Sequence, residues 1–394
     1  MEYFRDKLYW KYVALFIFYF LAMAALSSLI SVYLTGIGKS GSEISLILIV
    51  ASIIAIGIQG LVGITNERWS IRTNITIYLL VGAAIALLFF VTTDTWLLGF
   101  VYGLSNAIIL GVNPLFEGMA TESHFRYGLI RLWGTLGYAA GQQVTGIIYD
   151  YIAPNSIFIL FIVASLLAVV CIYILPKPKA ATSPTGVIEI SENPEKHTVK
   201  NIFKNKLFIT YLVIAFLFFG PNMINTSYLP LLLKATGAPV SIVSVTLTVA
   251  LFAEVLVMIF SNRFMDRFTN KQLLMAVLLL TAVNYLVCYL SSDFLVLSFI
   301  VITTKFFASG TFLMLHIKIV STILNRKLIT TGLTVVAMIS RNIGTIFFQM
   351  IAGPVIDNLG LHMLYLILLI FTVIAMAIAI PFQIPPQPKE KLFS

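Results

Sequence analysis

Charge is what this sequence has least of. Asp, Glu, Lys and Arg make up 10% of its 394 residues, against about a quarter in soluble domains. A water-soluble chain of this size needs a larger polar skin, whereas a chain covered by lipid does not. Cysteine is also scarce: Cys171 and Cys288 are the only two, and both lie in apolar runs, which excludes a disulfide framework. The four histidines form no cluster with cysteine, so no metal site is indicated. No GxxxxGK[ST] loop occurs, which excludes ATP hydrolysis as an energy source. Neither a nucleophile elbow nor HExxH is present. The expectation is a protein that is not an enzyme and carries no cofactor.

Apolar residues are abundant, at 59%. Twelve apolar runs lie at 11–33, 43–65, 73–93, 96–116, 127–149, 155–175, 207–232, 241–261, 272–290, 294–317, 329–353 and 361–382. Each approaches the roughly 20 residues that span a bilayer. The net charge of +9 could suggest nucleic acid, but the cations crowd into the short loops between these runs. With the N-terminus inside, Arg5, Lys7, Lys11, Arg68, Arg72, Arg126, Arg263, Arg267, Lys271, Arg326, Lys327, Lys389 and Lys391 are cytoplasmic, and only Lys39 and Lys234 face the other side. Both termini are therefore expected in the cytoplasm of a multi-pass cell-membrane protein, with no nucleic-acid partner. The first run has no small-residue cleavage site after it and reads as a retained helix.

The segment 176–206 is rich in Pro, Ser, Thr and Lys. It is either a flexible linker or, in its last part "HTVKNIFKNK", a basic helix on the membrane surface. It divides the chain into an N-terminal six-span bundle, 1–175, and a C-terminal one, 207–394. The two halves repeat. Gly63-xxx-Glu67-Arg68-xxx-Arg72 follows span 2, and Asn262-xxx-Asp266-Arg267-xxx-Lys271 follows span 8. Arg131-xx-Gly134-Thr135 in span 5 leads to Gly146-xxx-Asp150, and Arg341-xx-Gly344-Thr345 in span 11 leads to Gly353-xxx-Asp357. Such duplication is a transporter signature, with Glu67, Arg68, Asp266 and Arg267 as gating-loop candidates.

In span 5, Arg131, Thr135, Tyr138, Gln142 and Thr145 share one helical face, and Gly134, Gly137 and Gly141 form a second stripe suited to close helix contact. Lipid does not tolerate the polar stripe, so it is expected to face a wet cavity; the alternative is a structural or snorkelling arginine. Glu117 follows Pro114, which loosens span 4, and the short loop to span 5 lets Glu117 meet Arg131. A carboxylate beside a guanidinium can hydrogen-bond several hydroxyls. In the C-terminal half, Glu254, Lys305 and Arg341 lie inside spans, where ionisable residues are functional candidates. Glu254 is a candidate proton carrier or a static partner of Lys305 or Arg341. His316 and Lys318 read as snorkelling from the inner end of span 10. Gly220-Pro221 is expected to break or bend span 7, with Asn222, Asn225 and Tyr228 beyond it offering polar groups to a cavity. Asn106, Asn113 and Asn284 could do the same or simply bridge helices.

Twelve spans in two halves, with Gly63-xxx-Glu67-Arg68-xxx-Arg72 in the loop after span 2, resemble the major facilitator superfamily, although Glu67, Ser70 and Ile71 depart from its GxxxDRxGRR signature. The resemblance implies an all-α membrane protein of two pseudo-symmetric six-helix bundles. "NPLFE" and "YGLIRLWGTLGY" are similar to the span 4 and span 5 motifs of the lactose-permease and phenylpropionate-permease branches. In the lactose branch the acid and the arginine hold the sugar while an aromatic stacks on it; these roles fall on Glu117, Arg131 and Tyr138. "FAEVLVMIFSNR" around Glu254 and "SGTF" at Ser309–Phe312 look more like the phenylpropionate branch. Span 10 has Lys305, Ala308 and Thr311 where the lactose branch has His and Glu, span 9 has Asn284 for its Arg, and span 7 has Asn for its Asp. Arg341 matches the cation expected on span 11.

The expectation is a monomeric alternating-access transporter, a symporter of a small polar solute with H+ as coupling ion through Glu254, Lys305 and Arg341. A sugar or oligosaccharide fits Glu117, Arg131, Tyr138, Gln142, Asn222 and Asn225. An aromatic carboxylate, a nucleoside or an exported amphiphile also fits, and a membrane sensor that binds without transport is the reading from a different class.

Overall fold

The computed structural model describes residues 6–121, 123–176, 202–265, 267–325 and 328–384. Most of the linker and the cations Arg5, Arg326, Lys327, Lys389 and Lys391 lie outside them, as do Asp266, Glu122 and the side chains of Glu67 and Arg263. The described chain is helical throughout. In order, the helices are α1 Lys7–Ser27, α2 Ile30–Gly36, α3 Gly41–Arg68, α4 Ile71–Ala86, α5 Thr95–Gly111, α6 Asn113–Thr121, α7 Tyr127–Tyr151, α8 Ser156–Ile174, α9 Lys206–Ala235, α10 Val240–Phe264, α11 Asn270–Leu290, α12 Phe294–Ile323, α13 Ile329–Val336, α14 Gly344–Leu359 and α15 Leu361–Ala379. A π-helical turn, Ala337–Ile343, joins α13 to α14.

Among the described residues, eleven helical stretches are long and apolar enough to cross a membrane. α1 with α2, α5 with α6, and α13 with α14 each act as one interrupted crossing. α7, with 25 residues, has the length; its Gly, Gln, Thr and Tyr keep it less apolar than the rest. On α8, Ile159, Val163, Leu167 and Val170 are exposed while Phe158, Phe161, Ala164 and Ala168 are buried. An apolar outer face of this kind suits lipid. Span 4 is interrupted at Val112, just before Pro114, which cannot donate to a continuing helix. Tyr19 donates to the Ile109 carbonyl beside this interruption, at 2.6 Å, and its ring stacks on Phe116. Gly220-Pro221, expected to break or bend span 7, does not break it. α9 runs for 30 residues through Pro221 and Pro230, and Gly220 leaves room for the Phe348 ring of α14.

The chain forms two compact units: Met1–Glu189 with Pro239–Thr248, and Ile190–Ala238 with Val249–Ser394. In the first, α1 packs on α7 and α8, and α3 on α5; in the second, α11 packs on α12 and α15, and α9 on α14 and α15. The start of α10 belongs to the first unit, which a division by span count does not anticipate. Asp150 explains it. Its carboxylate accepts from Val240 N at 3.1 Å and Ser241 N at 2.7 Å, occupying the free amides at the helix start.

The repeated loop motif has a structural meaning inside each unit. Ser70 caps the N-terminus of α4, and Thr269 caps that of α11. Two residues on, Arg72 Nη2 donates to the Leu175 carbonyl at the end of α8, and Lys271 Nζ donates to the Ile380 carbonyl after α15. Asp94 and Asp293 cap α5 and α12 in the same matching places. Cations at helix C-termini satisfy orphan carbonyls and oppose the helix dipole. Lys318 follows the same rule: it is 2% exposed and donates to the Met265 carbonyl at 2.8 Å, beyond α10. It does not snorkel, and neither does buried His316, which pairs with the Tyr211 hydroxyl at 2.9 Å. In both cases a backbone carbonyl or a hydroxyl inside the protein supplies the partner.

The glycine stripe of α7 lies against α1. A Cβ at Gly137 would stand 2.6 Å from the Ile17 carbonyl oxygen, and one at Gly141 2.8 Å from the Leu21 Cα. Both obstacles are backbone and cannot rotate away. Gly137→Val should therefore abolish recovery of monodisperse folded protein by fluorescence-detected size exclusion. Gly128→Ala, where a Cβ meets nothing within 4 Å, should leave it unchanged.

Candidate functional site

In the first unit, the interruption at Val112 turns α6 so that Glu117 stands beside α7. Arg131 Nε lies 2.9 Å from Glu117 Oε1, and the Tyr127 hydroxyl donates to Glu117 Oε2 at 2.6 Å. Tyr127, Arg131 and Thr135 follow at intervals of four and line one face of α7. Arg131 Nη1 donates to Thr135 Oγ1 at 3.3 Å. The guanidinium carbon sits 4.4 Å above the centroid of the Phe20 ring, a cation–π contact. Gly134 admits that ring, because a Cβ there would lie 2.6 Å from it. The Arg131 and Glu117 side chains remain 35% and 24% exposed, so the pair is open on one side. The arrangement is a flat, charge-assisted plate of donors and acceptors that neighbouring hydroxyls can reach. Tyr127 and Phe20 were absent from the sequence reading. Tyr127 was legible as the residue one turn before Arg131; Phe20 carries no signal among the many phenylalanines of span 1.

The far end of the polar stripe on α7, from Gln142 on, departs from the expected wet face. Tyr138 is half-buried beside Ser27 and Tyr102. Gln142 is 6% exposed and lies 3.5 Å from the Thr248 hydroxyl. Thr145 is fully buried and donates to the Gly141 carbonyl at 2.6 Å. Thus the stripe opens at Arg131 and closes into dry helix contact by Gln142, because the start of α10 covers its far end.

In the second unit, α9, α11 and α12 line a small polar cleft, with room for about one water, formed by Asn222, Asn225, Thr281, Asn284, Tyr285, Thr304, Lys305, Ala308 and Ser309. Asn222 Nδ2 is 3.5 Å from Ser309 Oγ, and Asn284 Nδ2 donates to Thr304 Oγ1. Tyr228 is not part of it; the residue is fully buried and donates to Gln349 Oε1 at 3.1 Å. Asn106 and Asn113 are half-buried in the first unit. Glu254 packs on α12 at Gly310 and interacts electrostatically with Lys305. Of the two readings of Glu254, the static pair with Lys305 or Arg341 is not seen: no ion pair joins Glu254 to either cation among the described residues, whereas Arg131 pairs directly with Glu117. Arg341 occupies the π-helical turn, is exposed, and is felt electrostatically by His316. Single π turns inside helices are frequent at functional sites. Arg68 and Arg267 are exposed at their loops.

The model of the MFS_1 like family matches residues 9–367. The chain belongs to this family. It is a multi-pass membrane transporter, not an enzyme. It is 25% identical to the maltose permease of Geobacillus stearothermophilus over 372 residues, 92% of each chain. Its fold is similar to that of the nucleoside transporter NupG, with a TM-score of 0.80, 16% identity, and coverage of 96% of this chain and 98% of that one. It is also similar to a D-xylose-proton symporter, with a TM-score of 0.68, 14% identity and coverage of 96% and 98%.

The Glu117–Arg131 contact should appear as energetic coupling. In a double-mutant cycle of Glu117→Ala and Arg131→Ala, read by thermal unfolding in detergent, the two losses should be non-additive by about 1 kcal/mol, as for a half-exposed ion pair. Additive losses would show that the pair contributes nothing in solution.

Proposed function

We propose that this transporter is a proton-coupled symporter of a sugar or oligosaccharide in the plasma membrane, acting as a monomer by alternating access, with both termini in the cytoplasm. The observation that carries the reading is the half-open Glu117–Arg131 pair over the Phe20 ring. Vicinal hydroxyls are matched by a carboxylate acceptor and fixed guanidinium donors. The relationship to a maltose permease along nearly the whole chain supports the same substrate class. Glu254, close to Lys305 without touching it, is the carboxyl group best placed to exchange a proton, since protonation changes the field at Lys305 without breaking a structural bridge.

Arg131→Ala should abolish sugar uptake in proteoliposomes, because it removes the donors on which the substrate hydroxyls close; uptake at the wild-type rate would remove the proposed role. Glu254→Gln should retain counterflow of labelled sugar yet lose sugar-driven alkalinisation of the medium. Unchanged alkalinisation would place coupling elsewhere. A thermal-shift screen of sugars, aromatic acids and nucleosides on purified protein separates the substrate classes.

A further inference from the structure

Glu117 is carried to its place across an interruption, and an interrupted helix is free to bend. Helical bonding ends with Val112 N on the Ile108 carbonyl at 3.1 Å and resumes with Phe116 N on the Val112 carbonyl at 3.4 Å. Pro114 stands in the gap and has no amide for the Leu110 carbonyl. The backbone alone therefore leaves the angle between α5 and α6 open. That angle decides whether the pair forms, because Glu117 rides on α6 and Arg131 on α7.

One side chain of α1 spans the gap. The Tyr19 hydroxyl donates to the Ile109 carbonyl, near the end of α5, at 2.6 Å. Its ring stacks on Phe116 of α6, with centroids 3.9 Å apart and planes at 19°. The hydroxyl thus holds one side of the interruption and the ring holds the other. Tyr19 and Ile109 are both 0% exposed. A phenylalanine at position 19 would keep the stack but leave a buried carbonyl without that donor. The next residue, Phe20, carries the Arg131 guanidinium 4.4 Å above its ring and meets the Tyr19 ring edge-on at 5.0 Å. Consecutive residues of one helix therefore locate both members of the ion pair. The frame is common to them, since α1 is seated on α7 at Gly137 and Gly141, against Ile17 and Leu21 on either side of Tyr19.

We infer that Tyr19 is a positioning residue of the binding site: it bridges the interruption between α5 and α6, sets the angle at which Glu117 meets Arg131, and through that pair sets the affinity for the solute. Being buried, it touches no solute itself. The step to affinity rests on the sugar-transport reading; the step to the ion pair does not. A hydrogen bond stretched beyond about 3.5 Å is lost, so a small change of bend is enough to part Glu117 Oε1 from Arg131 Nε, which lie 2.9 Å apart.

The test repeats the double-mutant cycle of Glu117→Ala and Arg131→Ala on the purified full chain, in a Tyr19→Phe background, read by thermal unfolding. The non-additivity should fall by about half or more. Tyr149→Phe is the control. It removes another tyrosine hydroxyl, one that donates to the Val32 carbonyl at 3.4 Å near the far end of α7, and should leave the coupling intact. A hydroxyl of purely structural value would lower the unfolding temperature in both backgrounds and the coupling in neither. Maltose affinity, read by calorimetry, should weaken about tenfold in Tyr19→Phe, the range set by one buried acceptor left open, and stay at the wild-type value in Tyr149→Phe. Phe116→Leu keeps the Tyr19 hydroxyl and removes the stack; it carries the test, with the same losses expected, if Tyr19→Phe does not fold. Unchanged coupling overturns the inference while sugar transport stands. Lost coupling with unchanged maltose affinity overturns the role in binding. If the wild type binds no sugar, the transport reading falls, and the coupling alone decides the role of Tyr19.

Discussion

A polar group inside a bilayer must find its partner in the protein, in trapped water or in a solute, because the hydrocarbon offers none. That constraint sorts the sparse charges of this chain. Arg72, Lys271 and Lys318 end on helix-terminal carbonyls, and Asp150 ends on the free amides of α10. Each of these charges closes an open end of the backbone, and none is left over for a solute. Arg131 and Glu117 are different: they hold one another, yet remain open on one side. The Tyr285 hydroxyl and Asn225 Oδ1 differ again, buried with no hydrogen-bond partner among the described residues.

The two units therefore use charge in unlike ways despite the repeat that relates them. In the first, acid and base are joined over an aromatic ring, so the site presents oriented hydrogen bonds with little net charge. In the second, Glu254, Lys305 and Arg341 are kept apart on α10, α12 and the π turn. Separated charges respond to protons and solutes more readily than a closed pair, because no bridge must break first.

Some of this was legible in the residues. Pro114 announced the interruption of span 4, and the short loop to span 5 announced that Glu117 could reach Arg131. The doubled motif after spans 2 and 8 was visible, but its use as a pair of helix caps was not, since Leu175 and Ile380 are far from Arg72 and Lys271 in sequence. Helical spacing correctly placed Gln142 and Thr145 on the face of Arg131. It could not reveal that α10 covers them, because spacing defines a face and leaves its neighbour unspecified. His316 and Lys318 differ from expectation for the same reason: position in the span does not reveal that Tyr211 and the Met265 carbonyl stand within hydrogen-bond reach.

What the sequence alone determined is the membrane class, the run of spanning helices, the internal duplication and the short list of charges that lipid would not tolerate. These follow from composition and periodicity, which act locally along the chain. Tertiary structure alone decided which polar groups were already satisfied: the Phe20 ring under Arg131, the carbonyls under Arg72, Lys271 and Lys318, and, among the described residues, the unpartnered Tyr285 hydroxyl and Asn225 Oδ1. Satisfaction of a polar group depends on atoms brought within about 3 Å by packing, and no pattern in a linear sequence encodes that distance.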